Sequence, residues 1–190
     1  MNVREALIVV SLCVAGTASA ADYWVAPTGK DGEGRGGKNA PFLTIQYIAN
    51  RVKPGDTVHV VDGEYVGFNV GRSGTPTARI TFIAEGDAVK IIRRNKATMD
   101  GINVENASNI TIDGFLVNEM GRAGVRGAHA DGIRIRRIRA DRNTTWGIFT
   151  SHSNDVVIEY NIVARSRKQH GIYVSNSGDR PIIRGNISFG

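Results

Sequence analysis

Glycine recurs at one position of the chain at nearly constant spacing. Intervals of 23, 23 and 24 residues separate Gly101, Gly124, Gly147 and Gly171. Each glycine opens a short run of alternating apolar and polar residues, and a second run follows at 109–113, 132–136, 155–159 and 180–184. A third short run follows in the first three units, at 115–117, 138–140 and 162–164. Three short strands per unit predict one turn of a parallel β-helix, whose turns stack at about 4.8 Å.

The apolar positions predict two columns of side chains inside this β-helix. One column contains Ile102, Val125, Ile148 and Ile172, and the other contains Ile112, Ile135, Ile158 and Ile183. The period of two excludes a helical repeat, and the scarcity of leucine excludes a leucine-rich repeat. Asn161 and Asn186 occupy the same bend of successive turns, where asparagine suits a tight turn and hydrogen-bonds along the stack. The fold class is therefore all-β, a parallel β-helix.

The first twenty residues have the pattern of a signal peptide. Arg4 precedes an apolar run at 6–16, and Ala18, Ser19 and Ala20 form a small-residue cleavage site. The alternative is a membrane anchor, although the run is short and no stop-transfer pattern follows. We predict cleavage after Ala20 and a secreted or periplasmic protein. The remaining residues, 21–190, form one β-helix domain with an N-terminal cap at 21–56 and repeats from about residue 57. Within the cap, a short helix at 44–52 covers the N-terminal end.

Cysteine content and charge limit the functions open to this chain. The single cysteine, Cys13, lies in the predicted signal peptide, so the exported chain has no disulfide, no cysteine nucleophile and no thiolate metal site. The net charge of +6 suits an anionic partner such as an acidic polysaccharide, a nucleic acid or a lipid surface, or is a solvated basic surface. Nucleic acid is disfavoured because strand alternation sends the many arginines of 122–142 to different faces. No apolar run beyond the signal is long enough to cross a membrane, so no membrane partner is expected.

Four segments resemble a known family. The sequences PFLTIQ at 41–46, KPGDTV at 53–58, QHGIYVSNS at 169–177 and IRGN at 183–186 resemble exported bacterial right-handed parallel β-helix repeat proteins of the pectate-lyase-like superfamily. The resemblance implies a right-handed β-helix, here of about five to six turns. Relatives include pectate and alginate lyases, epimerases, other polysaccharide-active enzymes and proteins without assigned activity. The chain stops inside a turn without a closing helix or polar cap, which predicts a truncated product that self-associates through its open C-terminal end.

In the lyases of this family, substrate lies along the sheet made of the first strands. The resemblance therefore implies a site on the outward column that contains Asn103, Arg126, Phe149 and Tyr173, beside loops that bring Arg122, Trp146, Lys168 and His170. A polysaccharide lyase removes the proton next to a uronate carboxylate and stabilises the enolate. We assign His170 or Lys168 as the base and Arg126 as the neutralising cation. We assign substrate binding to Tyr173, Phe149, Trp146 and Arg122.

The carboxylates and histidines do not predict a metal site. Calcium-using relatives cluster several carboxylates, whereas the outward column of Asp113, Arg136, Glu159 and Arg184 alternates in sign, which is typical of a ladder of ion pairs. His129 and His152, 23 residues apart, are expected to approach each other, but no third ligand is evident. We expect no cofactor, and calcium is not supported.

Two classes of function stay open. In the first, the protein binds or cleaves an acidic polysaccharide, as a lyase acting by β-elimination. In the second, it is a non-catalytic glycan-binding or surface scaffold β-helix, or an inactive fragment of a longer enzyme. The candidate site residues are then ordinary surface residues of a regular solenoid.

Overall fold

The computed structural model describes residues 20–176 and 178–190, so the predicted signal peptide lies outside the described residues except for Ala20. The described part is almost entirely strand. Its elements are, in chain order, β1 (Asp22–Val25), α1 (Ile45–Ala49), β2 (Thr57–Val66), β3 (Phe68–Val70), β4 (Ile80–Arg93), β5 (Ile102–Glu105), β6 (Ile110–Asp113), β7 (Leu116–Asn118), β8 (Ala123–Ala128), β9 (Arg134–Arg136), β10 (Arg139–Asp141), β11 (Trp146–Ser151), β12 (Val157–Glu159), β13 (Ile162–Ala164), β14 (Ile172–Ser175), β15 (Ile182–Arg184) and β16 (Ile187–Phe189).

The strands form parallel sheets that run along a solenoid of about six turns. The first strand of each turn belongs to one sheet, which we call the first sheet, in the order β3-β5-β8-β11-β14. The second strands, β6, β9, β12 and β15, and the third strands, β7, β10, β13 and β16, are joined through β4, which pairs with both β6 and β7. The predicted all-β parallel β-helix is therefore confirmed.

The two predicted apolar columns form the core. Ile102, Val125, Ile148 and Ile172 are consecutive partners in the first sheet, and Phe68 extends this column at its start. The second column continues in the same way from Phe82 through the four predicted isoleucines. Side chains in both columns are fully buried until the last turn, where Ile183 is 53% exposed. Each turn therefore buries its apolar residues against its neighbours, as expected of a solenoid.

The N-terminal cap contains the predicted helix. The Thr44 hydroxyl accepts a hydrogen bond from the Tyr47 N–H, which satisfies one of the unpaired donors of the first helical turn. Ile45, Ile48 and Ala49 are buried in the core cluster beside β2 and β3. The helix ends at Ala49, three residues before the predicted end.

One predicted turn is absent. The sequence at Asp62 and Gly63 indicates a turn between two strands, but β2 continues through it as a single strand. Its pairing with β4 shifts register between Val61 and Gly63. The extra residues lie on β4, where residues 86–88 face the single Asp62 of β2 and form a β-bulge. Gly63, with φ of 154°, continues β2 without reversing the chain.

Left-handed backbone conformations stack in columns at the corners between strands. One corner column contains Asn106, His129, His152 and Asn176, with φ between 41° and 53°. Another, which we call the second corner column, contains Gly114, Arg137, Tyr160 and Gly185. A single left-handed residue turns the chain sharply, so each strand follows the previous one with little loop. The imidazoles of His129 and His152 stack with ring centroids 4.9 Å apart, as their spacing predicts.

Two side-chain ladders connect successive turns. Asn161 is fully buried, its amide donates to the Ile135 carbonyl and to Asn186 Oδ1, and its own oxygen accepts from the Ile138 N–H at 2.8 Å. The predicted ladder of alternating charges is also present. Arg136 lies 3.4 Å from Asp113 and 3.8 Å from Glu159, and Arg184 lies 2.7 Å from Glu159.

Candidate functional site

The first sheet presents one outward column of polar and aromatic side chains. Strand pairing sets Asn69, Asn103, Arg126, Phe149 and Tyr173 next to one another on successive turns. Their sequence neighbours on both sides point into the core, so alternation directs these five away from it. The predicted column is therefore confirmed, and Asn69 extends it by one turn.

Aromatic rings gather at the C-terminal half of this column. Trp146 stacks on Phe149 with ring centroids 4.3 Å apart and an interplanar angle of 24°. Tyr173 meets Phe149 edge-on at 5.7 Å, and His170 lies 5.0 Å from Tyr173. The Trp146 indole N–H donates to Gln169, which fixes the indole plane. We call Trp146, Phe149 and Tyr173 the aromatic strip, a surface of the kind on which sugar rings stack.

The two predicted arginines are both paired with carboxylates. Arg126 donates to Asn103 at 2.8 Å and to Glu105 at 3.2 Å, and only 14% of its side chain is exposed. This hydrogen bond from Arg126 holds the pKa of Glu105 below its usual value. Arg122 forms a two-point pair with the fully buried Asp100, which raises the pKa of Arg122. The positive charge in this region is therefore already balanced in part.

A shallow depression lies over these pairs. Its volume is about 330 Å³, and it is bordered by the 97–99 segment together with Glu105, Arg122 and Arg126. Polar surface is thus continuous with the aromatic strip, because Phe149 is the strand partner of Arg126. A polymer that follows the column from turn to turn meets charged groups first and aromatic rings next.

The two candidate bases differ in their surroundings. His170 is exposed and contacts the ring of Tyr173 at the edge of the aromatic strip. Lys168 is exposed, and its ammonium group makes no hydrogen bond or ion pair with residues 20–176 or 178–190. The structure therefore brings His170 together with Trp146, Phe149 and Tyr173, and Arg122 together with Arg126, and leaves Lys168 outside both groups.

Sequence reasoning missed the acidic partners of the arginines. Glu105 lies two residues after Asn103, so the period of the strand places it on the same outward face, and this signal was available. Asp100 lies in a loop just before the repeat glycine, and the alternation of side chains along a strand does not predict where a loop side chain points. Gln46 was also missed. Its side chain forms hydrogen bonds with the backbone of Asn69 and so connects the N-terminal cap to the first sheet. The two residues are 23 apart, so no local pattern predicts the contact.

The residues in this region do not fit a calcium site. Calcium takes six to eight oxygen ligands, but Glu105 and Asp100 are each held by an arginine. Across the described part of the chain, no group of three or more His, Cys, Asp or Glu side chains is placed to hold a metal ion.

The parallel solenoid with its stacked inward columns defines a class, the right-handed β-helix proteins. The chain belongs to the family described as "Right handed beta helix region", whose model matches residues 61–190. A comparison with curated proteins gave no match.

Several solved structures share the fold. An alginate lyase from Paenibacillus sp. str. FPU-7 has a TM-score of 0.65 and 19% identity over 77% of this chain and 55% of its own. The pectate lyase Pel9A has a TM-score of 0.64 and 19% identity over 90% of this chain and 47% of its own. A lacto-N-biosidase of family GH136 from Eubacterium ramulus has a TM-score of 0.61 and 12% identity, over 83% and 41%. The chain thus spans about half the length of these proteins.

No helix among the described residues combines the length and the apolar character needed to span a bilayer.

Proposed function

We propose that this protein binds an acidic polysaccharide along the outward column of the first sheet and cleaves it by β-elimination. The observation that carries the proposal is the aromatic strip lying directly beside Arg126 on one column. Aromatic faces stack on sugar rings, and guanidinium groups pair with carboxylates. Similar folds in an alginate lyase and a pectate lyase support a substrate of this class.

In the proposed reaction, His170 or Lys168 removes the proton on the carbon next to the uronate carboxylate. The electron pair left behind is delocalised into the carboxylate, where Arg126 stabilises the added charge. It then forms a carbon–carbon double bond as the neighbouring carbon–oxygen glycosidic bond breaks. The leaving oxygen takes a proton from water. His170 is the preferred base, because its contact with Tyr173 keeps it at the edge of the aromatic strip.

A non-catalytic glycan-binding protein is the second candidate, and one observation favours it. Arg126 and Arg122 are both engaged by carboxylates of the chain itself. A substrate carboxylate has to compete with Glu105 for Arg126, which leaves less charge for stabilising an enolate. In this case the aromatic strip binds glycan, and no bond is broken. A scaffold without glycan affinity, or a fragment of a longer enzyme, completes this class.

Incubation with a panel of polyuronates separates these candidates. Cleavage by β-elimination is followed by the absorbance of the unsaturated product, with and without added calcium, and binding is measured separately by calorimetry. Calcium is expected to leave the rate unchanged. Cleavage supports the lyase, and binding alone supports the glycan-binding protein. If the protein neither cleaves nor binds any polyuronate, both of these are contradicted and the scaffold or fragment stands.

Substitutions then assign the roles. His170→Ala is expected to abolish turnover and spare binding, because a base acts in the transition state. Tyr173→Ala weakens binding by about 1 kcal/mol through lost stacking. Arg126→Ala lowers both, because it faces the carboxylate in the ground and transition states. His152→Asn, an exposed histidine away from the aromatic strip, is the control. If activity survives His170→Ala, Lys168→Ala is the next variant.

We also propose that the protein is exported and loses residues 1–20. N-terminal sequencing of protein recovered from outside the cytoplasm should begin at Ala21. Retention of Met1 on such protein contradicts this part of the proposal.

A further inference from the structure

A second cavity lies away from the first sheet, at the corner where second strands pass to third strands. Its volume is about 410 Å³, which is within the range of small-ligand sites. The second corner column borders it through Gly114 and Tyr160. The β4 segment at 84–87 forms a wall, and Leu116 and Ile162, outward residues of β7 and β13, supply an apolar floor.

The turn at this corner does not require the aromatic side chain of Tyr160. Its side chain is 55% exposed, and its backbone is left-handed with φ of 56°. Glycine occupies the same corner one turn later and two turns earlier, at Gly185 and Gly114, and avoids the strain of a side chain in this conformation. The Tyr160 hydroxyl has no hydrogen-bond partner in the described part of the chain.

One side of the Tyr160 ring is supported by the next turn. It packs over Gly185, where an added Cβ would lie 2.6 Å from the ring edge. The next turn of the solenoid therefore supports the ring from below, while its other surroundings open into the cavity. An exposed ring that is supported on one side and borders an open cavity is a stacking platform.

Two charged side chains beside the ring have no partner. The side chains of Arg139, an outward residue of β10, and of Asp87, in the wall, make no hydrogen bond or ion pair with any other described residue. Arg137 in the same cavity is, by contrast, bound to Asp113 at 2.6 Å. One unpaired guanidinium and one unpaired carboxylate offer hydrogen-bond donors and acceptors, and their charges are opposite.

We propose that this cavity is a second glycan-binding site and that it takes an uncharged sugar residue. The Tyr160 ring stacks on the apolar face of a pyranose, Leu116 and Ile162 contact its edge, and Arg139 and Asp87 bind its hydroxyls. Balanced charge favours a neutral sugar here, whereas the first-sheet column carries arginines suited to an acidic one. The site does not depend on any activity of the first sheet.

Calorimetric titration of the full chain with neutral hexasaccharides of glucose, xylose and mannose tests the proposal. Tyr160→Gly removes the ring and suits the left-handed backbone, so folding is preserved. It is expected to weaken binding of the preferred hexasaccharide about fivefold. Arg139→Gln should weaken it to a similar extent. Arg134→Gln is the matched control, because Arg134 is exposed on β9 outside the cavity and should bind as wild type.

Three outcomes overturn the proposal. One is that no neutral hexasaccharide binds. Another is that Arg134→Gln weakens binding as much as Arg139→Gln, which indicates a general charge effect. The third is that Tyr173→Ala removes the binding and Tyr160→Gly does not, which assigns neutral glycans to the first sheet. If no polyuronate is cleaved or bound but a neutral hexasaccharide binds at this cavity, the proposed function is rejected and the second site is supported.

Discussion

The pair of Glu105 and Arg126 controls how much positive charge the first sheet presents. Replacing Glu105 with Gln removes the competing carboxylate and leaves Arg126 available to a substrate anion. We expect Glu105→Gln to bind polyuronate about fivefold more tightly, the order expected for one partly exposed ion pair. Calorimetry with wild type as reference measures the change, and equal or weaker binding contradicts it.

The same pair makes a pH-dependent contribution to stability. Because Arg126 lowers the pKa of Glu105 in the folded state, the pair stabilises the fold above the ordinary glutamate pKa of about 4.3. The contribution is lost as pH falls through the lowered pKa and Glu105 takes up a proton. The difference in unfolding free energy between wild type and Glu105→Gln, measured in urea, should therefore shrink as pH falls below the ordinary glutamate pKa of about 4.3. A constant difference contradicts the assignment.

The repeat glycines are required by close packing. A Cβ on Gly147 would collide with the Val163 side chain and lie 2.8 Å from the Gly171 carbonyl oxygen. Gly147→Ala should lower the unfolding free energy by about 1–3 kcal/mol, measured in urea. Gly37 has no atom within 4 Å of its Cβ position, so Gly37→Ala is the control and should change stability by less than about 0.5 kcal/mol. Similar effects of both variants contradict the packing argument.

Single residues differ in how well the sequence predicts them. The outward direction of Arg126, Phe149 and Tyr173 follows from a period of two and is confirmed. The outward position of Glu105, the partner of Arg126, was predictable from the same period but was missed. Asp100, the partner of Arg122, was not predictable, because it lies in a loop where alternation does not apply. The catalytic and binding roles of the site residues stay predictions.

At the level of elements, the asparagine bend connects three consecutive turns. Asn161→Ala leaves the buried Ile138 N–H and Ile135 carbonyl without partners and should cost about 3 kcal/mol of unfolding free energy. Asn186→Ala, at the half-buried next position, should lower the unfolding free energy by less, because water can hydrogen-bond to the backbone groups that lose Asn186 as their partner. Urea unfolding of the two variants measures both values, and an equal or reversed order contradicts the ladder.

The short strands were predictable because each has an apolar position in a stacked column. The long strands β2 and β4 were not predicted. Asp62 and Gly63 within β2 look like a turn in the sequence, and β4 absorbs extra residues as β-bulges. The left-handed corners were also missed. Histidine, arginine and tyrosine occupy several of these corners, and at those positions the usual signal, glycine, is absent.

For the whole molecule, the last turn exposes apolar surface and unpaired strand edges. Ile183 and Phe189 are each more than half exposed, and β14, β15 and β16 each have one paired side. We expect the polypeptide 21–190 to self-associate, because pairing of these strands with another copy buries the apolar surface and satisfies the strand edges. Light scattering at increasing concentration measures this, and Ile183→Lys should reduce it. A monomer at high concentration contradicts it.

The charges along one column alternate in sign from turn to turn, at Asp113, Arg136, Glu159 and Arg184. The number of turns that the solenoid loses therefore decides whether charges of like or opposite sign meet. Loss of the one turn that carries Arg136 would bring Asp113 against Glu159, two carboxylates whose side chains are each only 7% exposed. Loss of two consecutive turns would instead bring Asp113 against Arg184 and restore attraction. We therefore expect a variant that lacks this one turn to lose more unfolding free energy than a variant that lacks two consecutive turns, because only the first sets two buried carboxylates side by side.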